Sequence, residues 1–145
     1  MKKLLIFSLA LLLGYGILAG CSAVKEPAPD VPDEPKEETK KNEYKQITQS
    51  EAKALMDSET NYIILDTREQ YEFDEGHIAG AILIPYTEIE AKAASALPDK
   101  DQLILVYCRS GRRSKIAAQS LADLGYTNVQ EFGGIIDWEY GVVTD

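Results

Sequence analysis

The stretch Cys108-Arg109-Ser110-Gly111-Arg112-Arg113-Ser114 sets one thiol among three guanidiniums, in a chain otherwise acidic, with 24 Asp and Glu against 15 Lys and Arg. The thiolate is the nucleophilic form of cysteine, and nearby cations lower the pKa toward it. An unbroken apolar run, Leu103-Ile104-Leu105-Val106-Tyr107, comes immediately before, and a stretch of helical spacing comes after. Such a run predicts a central strand covered on both faces. A cysteine at the carboxyl end of that strand, facing the amino terminus of the next helix, stands where open α/β sheets bind ligands. The helix dipole and unpaired amides there favour anions. The pattern predicts Cys108 as a covalent nucleophile and Arg109, Ser110, Gly111, Arg112, Arg113 and Ser114 as the binding site for an anionic substrate. Burial as a small hydrophobe is the usual role of a free cysteine, but it gives the arginine cluster no purpose.

Other polar residues read as support. Asp66 and Arg68 close a predicted strand, and Asp66 is placed to orient the loop or to bind an arginine. Arg68 and Glu72, four apart at a helix start, predict an ion pair. His77, the only histidine, invites the role of general base, yet Gly76-His77-Ile78 suggests a structural histidine with satisfied hydrogen bonds. Gly133-Gly134 predicts a tight turn before a last short helix, Trp138 a core position, and Tyr107 a side chain packed beneath the loop. No Cys-x-x-Cys is present, so a simple dithiol redox cycle is unavailable. Two cysteines and one histidine form no metal cluster or disulfide framework, and neither a metal nor a cofactor is expected.

The elements that position these residues alternate strand and helix from Tyr44 onward, which predicts an α/β domain with a mostly parallel sheet. Strands are expected at Tyr44 to Ile47, Tyr62 to Leu65, Ala81 to Ile84, Leu103 to Tyr107 and Val129 to Phe132. Thr48 with Glu51 makes a capping box for a helix through Met56. A second helix fits Glu88 to Ala96, ended by Pro98. A third fits Arg113 to Leu124, with Ile116, Ser120, Leu121 and Leu124 on one face and Gly125 closing it.

The amino terminus reads as a targeting segment. Lys2 and Lys3 precede the apolar run Leu4 to Leu13, and Leu18-Ala19-Gly20-Cys21 resembles a bacterial lipobox. Residues 1–20 are expected to be a removed signal peptide, and Cys21 the lipidated anchor. The charge-free stretch is short for a bilayer span of about 20 residues. Residues 21–43 hold Pro27, Pro29, Pro32 and Pro35 among Glu, Asp and Lys and predict an extended tether, reaching at most roughly 70 Å. Residues 44–145 form the expected domain, exported, membrane-anchored, extracytoplasmic and monomeric. The net charge of −9 disfavours nucleic acid and bare anionic lipid.

From about Tyr44 to its end the chain resembles the rhodanese-like domains. The likeness is carried by Ile64-Leu65-Asp66-Thr67-Arg68, Tyr71, Glu72, Gly76-His77-Ile78, Gly80-Ala81 and Ile84-Pro85, by the Cys108 to Ser114 loop, and by Leu124-Gly125-Tyr126, Val129, Phe132-Gly133-Gly134 and Trp138. The resemblance implies a five-stranded parallel sheet flanked by helices on both faces. It also implies a persulfide on Cys108, loaded from a donor such as thiosulfate and discharged to cyanide or a thiol. Phosphatase relatives of this fold place five residues between Cys and Arg. Here the sixth position after Cys108 is Ser114, so the loop matches the shorter sulfurtransferase form. Phosphatase or arsenate reductase chemistry is the enzymatic alternative. A persulfide carrier serving a protein partner and an interaction module are the non-enzymatic ones.

Overall fold

A computed structural model describes residues 42–144. The signal segment, Cys21 and the tether up to residue 41 lie outside the described residues. Within them, five strands form one parallel sheet: β1 (Lys45–Gln46), β2 (Tyr62–Asp66), β3 (Ala81–Leu83), β4 (Leu103–Cys108) and β5 (Val129–Gly134), in the order β1-β5-β4-β2-β3. The helices are α1 (Gln49–Ser58), α2 (Gln70–Glu75), α3 (Ile89–Ala96) and α4 (Arg112–Asp123), with short 3-10 turns at Tyr86–Glu88 and Ile135–Asp137. The expected α/β class, with a five-stranded parallel sheet and flanking helices, is the architecture found. None of these helices is long and apolar enough to cross a membrane.

β4 is buried along its whole length because both of its faces are covered. Alternation sends Ile104 and Val106 into a core with Leu65, α3 (Ile89, Ala93) and α4 (Ala117, Ala118, Leu121). Leu103, Leu105 and Tyr107 enter the opposite core with Ile64, Phe132 and Ala52, against which Leu55, Met56 and Trp138 pack.

Three local differences from the sequence reading have physical reasons. α4 does not bury Ile116, which is 44% exposed; its inner face is Ser114, Ala117, Ala118, Leu121 and Ala122, since small side chains let the helix lie close to the sheet. The first strand shortens to two residues, consistent with its single neighbour at the sheet edge. β4 extends one residue further, to Cys108, through a register shift against β5 that sets Cys108 opposite Gly134. The capping box at Thr48 forms as read, with Glu51 N–H donating to the Thr48 hydroxyl at 3.2 Å and Thr48 N–H to Glu51 at 2.8 Å.

Candidate active site

Cys108 is the last residue of β4, and its side chain is 1% exposed. The chain then turns sharply. Gly111 takes φ +94°, a left-handed conformation favoured by glycine, and α4 begins at the next residue. The turn aims the Gly111 N–H at Cys108 Sγ, to which it donates at 3.1 Å. Burial pushes the thiol pKa up. That effect is outweighed by the hydroxyl and N–H of Ser114 and by the N–H groups of Ser110 and Gly111, so the pKa lies below the ordinary cysteine value. The first turn of a twelve-residue helix adds its positive end.

The floor of the loop requires a glycine at 134. A Cβ there would stand 2.2 Å from the Arg109 carbonyl oxygen and 2.5 Å from Ser110 Cα. Ile136 N–H donates to that same carbonyl at 3.2 Å, tying the loop to the turn after β5. The Gly133-Gly134 pair therefore does more than shape a turn: Gly134 allows two backbones to touch.

The arginines divide into two kinds. Arg113 forms a two-pronged ion pair with Glu72 of α2, at 2.6 and 2.8 Å, and this pair lifts its pKa and lowers that of Glu72. Its charge still acts on Cys108. Arg109 and Arg112 are exposed, and no side-chain bond holds either among the described residues. Ser110 between them is also exposed, while Ser114 is buried.

The expected Arg68–Glu72 pair is corrected by this arrangement. Arg68 bonds Asp66 instead, Nη2 to Oδ2 at 2.6 Å and Nε to Oδ2 at 2.9 Å, and donates to the Gly76 carbonyl at 2.7 Å. Helical spacing of four suggested the pair, but Arg68 precedes α2 and points back across the end of β2. Burial works against the Arg68 charge, and the bonds to Asp66 more than restore it. Tyr107 completes this cluster, accepting the Ile78 N–H at 3.2 Å and interacting with Asp66, with its hydroxyl pKa raised chiefly by burial. It lies on the sheet face away from Cys108, as alternation requires. His77 is buried, stacked on Phe73 with 3.7 Å between ring centres, and its Nδ1 is 3.0 Å from the Phe73 carbonyl. Its backbone bridges to Val143. Trp138 packs against the core beside Phe132. Among the described residues no group of three or more His, Cys, Asp or Glu is placed to hold a metal.

One residue next to the loop escaped the reading of the sequence. Glu131, on β5, is 2% exposed and accepts a bond from the Ser114 hydroxyl at 2.6 Å. Its signal was a charged residue inside the expected buried strand Val129 to Phe132.

A thiol at the end of a parallel strand, ringed by backbone N–H groups and a helix amino terminus, defines a class of cysteine-dependent α/β domains that stabilise charge on one sulfur. Residues 48–140 match the Rhodanese-like domain family, and the chain belongs to it. Among its relatives, the thiosulfate sulfurtransferase PspE of Escherichia coli is 40% identical over 73 residues, covering 50% of this chain and 70% of the relative. The putative sulfur carrier protein YrkF of Bacillus subtilis is 38% identical over 87 residues, covering 59% of this chain and 46% of the relative, so this chain spans under half of that protein. A solved structure of a rhodanese with anions from Escherichia coli aligns with a TM-score of 0.55 at 36% identity, covering 58% of this chain and 99% of the other.

Proposed function

We propose that this protein is an extracytoplasmic sulfurtransferase that carries sulfur as a persulfide on Cys108. The observation that carries the proposal is the thiol at the end of β4 with the Gly111 N–H on its sulfur and a pKa below the ordinary value. The Cys108 thiolate attacks the outer sulfur of thiosulfate or a similar sulfane donor. The donor S–S bond breaks and sulfite leaves with the bonding electrons. The loop N–H groups that stabilise the thiolate then face the persulfide anion, as oxyanion-hole donors would. Cyanide, or a thiolate in the cell, attacks the outer sulfur, and the Cys108 thiolate is released unchanged. Arg109 and Arg112 attract the anionic donor, and Arg113 strengthens the local field while fixed by Glu72.

That ion pair also weighs against phosphatase or arsenate reductase chemistry, in which an arginine after the loop must grip a tetrahedral oxyanion with both prongs. Here both prongs of Arg113 are occupied by Glu72. The likeness to a putative sulfur carrier favours a second reading, in which Cys108 passes sulfur only to a protein partner. Lipidation of Cys21 and a tether through residue 43 would hold the domain, as a monomer, at the outer side of a cell membrane.

The test is thiocyanate production from thiosulfate and cyanide by the wild type, Cys108→Ser and Arg109→Ala/Arg112→Ala. Turnover by the wild type, none by Cys108→Ser, and a KM for thiosulfate raised about tenfold or more in the double arginine variant support the proposal. No turnover by a folded wild type, with sulfur passed on only when a protein acceptor is supplied, favours the carrier reading.

A further inference from the structure

Between α2 and the start of the Cys108 loop lies a cleft of about 240 Å³, lined by Arg68, Tyr71, Glu72, Glu75 and Arg109. Two of these side chains are already committed to other partners. Arg68 is held by Asp66 and the Gly76 carbonyl, and Glu72 by both prongs of Arg113. The other three are exposed, Tyr71 to 64%, and their side chains have no hydrogen bond or ion pair among the described residues. Glu75 and Arg109 thus share the cleft without closing on each other. Tyr71 and Glu75, four apart in α2, stand on one face of that helix. The fold gains little from either. Tyr71 keeps its ring in water, and a carboxylate in the last turn of a helix is opposed by the dipole rather than favoured. Arg109 directly follows Cys108, so the cleft adjoins the residue that carries the sulfur.

We propose that this cleft binds the sulfur acceptor, and that the acceptor is a thiol of amino-acid size bearing both an amine and a carboxylate. Arg109 takes the carboxylate, Glu75 takes the ammonium, and the Tyr71 ring covers the short carbon chain between them. The cleft is smaller than the pockets that enclose drug-sized ligands, which suits a molecule of that size. The inference rests on reading Cys108 as the persulfide carrier, and it names the class of thiol that the second half-reaction consumes. Arg109 serves both halves in turn, because sulfite has left before the acceptor enters. The acceptor thiolate bonds the outer sulfur of the persulfide, the bond from that sulfur to Cys108 Sγ breaks, and its electron pair returns to Sγ as thiolate. The transferred sulfur leaves on the acceptor as a new persulfide, and the proton of the acceptor thiol goes to solvent. No oxidant or reductant is consumed.

The test loads Cys108 with thiosulfate, removes the excess donor and follows discharge of the persulfide by mass spectrometry. The acceptors are cysteine, cysteamine, which lacks the carboxylate, and mercaptopropionate, which lacks the amine. Variants are compared with the wild type by ratios of discharge rates, in which the intrinsic reactivities of the thiols cancel. Glu75→Gln is expected to slow cysteine about threefold relative to mercaptopropionate, and Arg109→Ala to slow it about threefold relative to cysteamine. Asp74→Asn removes the same charge from the neighbouring residue, outside the cleft, and is expected to leave both ratios at their wild-type values. An unchanged ratio in either Glu75→Gln or Arg109→Ala overturns the proposal. So does an equal change in Asp74→Asn, which would make the effect one of net charge alone. A persulfide discharged by cyanide but by none of the three thiols also overturns it, and favours a protein acceptor. A Cys108 that takes up no sulfur overturns this inference together with the sulfurtransferase reading.

Discussion

Burial alone would keep Cys108 protonated, and the hydrogen bonds of four groups on Ser110, Gly111 and Ser114 reverse that preference. The sign gives a pH prediction. A lowered pKa means that alkylation of Cys108 rises with pH and half-saturates below the value of about 8.5 typical of free cysteine; a midpoint at or above that value would contradict the account of the loop. Gly134 has its backbone against Arg109 and Ser110. Gly134→Ala puts a methyl group 2.2 Å from a carbonyl oxygen, with no flexible side chain to yield. The loop must move, so thiocyanate turnover should fall at least about tenfold while unfolding free energy drops by roughly 2 kcal/mol or more. Activity and stability both at wild-type values would show that the close approach is unimportant. Cys108 and its arginines were legible in the sequence because composition marks them: cations clustered in an acidic chain after an apolar run. Glu131 was not, because its bond to Ser114 depends on β5 lying beside β4 and on the rotation of α4, neither of which spacing along the chain encodes.

Among the elements, β4 and α4 do the positioning, and α2 holds α4 in place through Glu72 and Arg113. Helix periodicity found the existence of α4 but assigned Ile116 to its inner face, since large apolar residues weigh more in such a reading than the alanines that pack in fact. It also paired Arg68 with Glu72 inside one element, while both partners bond elsewhere: Asp66 ends the strand behind Arg68, and Arg113 comes from a helix 41 residues away. Local spacing carries no information about such pairs. The Glu72–Arg113 pair predicts a stability change with a defined sign. Arg113 lowers the Glu72 pKa, so the stabilisation is complete above the ordinary carboxylate range, about 4.3, and is lost as pH falls through the lowered folded-state value. Glu72→Gln should destabilise the domain by about 1–2 kcal/mol at pH 7, and the difference should shrink in denaturant titrations as pH falls below about 4. A difference independent of pH would mean that the pair contributes packing rather than charge.

At the scale of the whole molecule, an acidic domain carries a small cationic mouth, and the sequence before residue 42 proposes how it is held in the cell. With Cys21 acylated at the head of the tether, labelled fatty acid should be incorporated by the wild type and not by Cys21→Ser, while residues 22–145 alone transfer sulfur fully. Absence of fatty-acid labelling in the wild type would sink the lipid-anchor proposal and point to the apolar run as a retained anchor. The proposed function makes one chemical claim, that Cys108 holds sulfur covalently between two half-reactions. Mass spectrometry of residues 22–145 after thiosulfate, and again after cyanide, tests that claim most directly. One added sulfur on Cys108 is expected, absent in Cys108→Ser and removed by cyanide with thiocyanate appearing in equal amount. An unmodified Cys108 in a protein that nonetheless turns thiosulfate over, or a sulfur adduct that survives in Cys108→Ser, would contradict it.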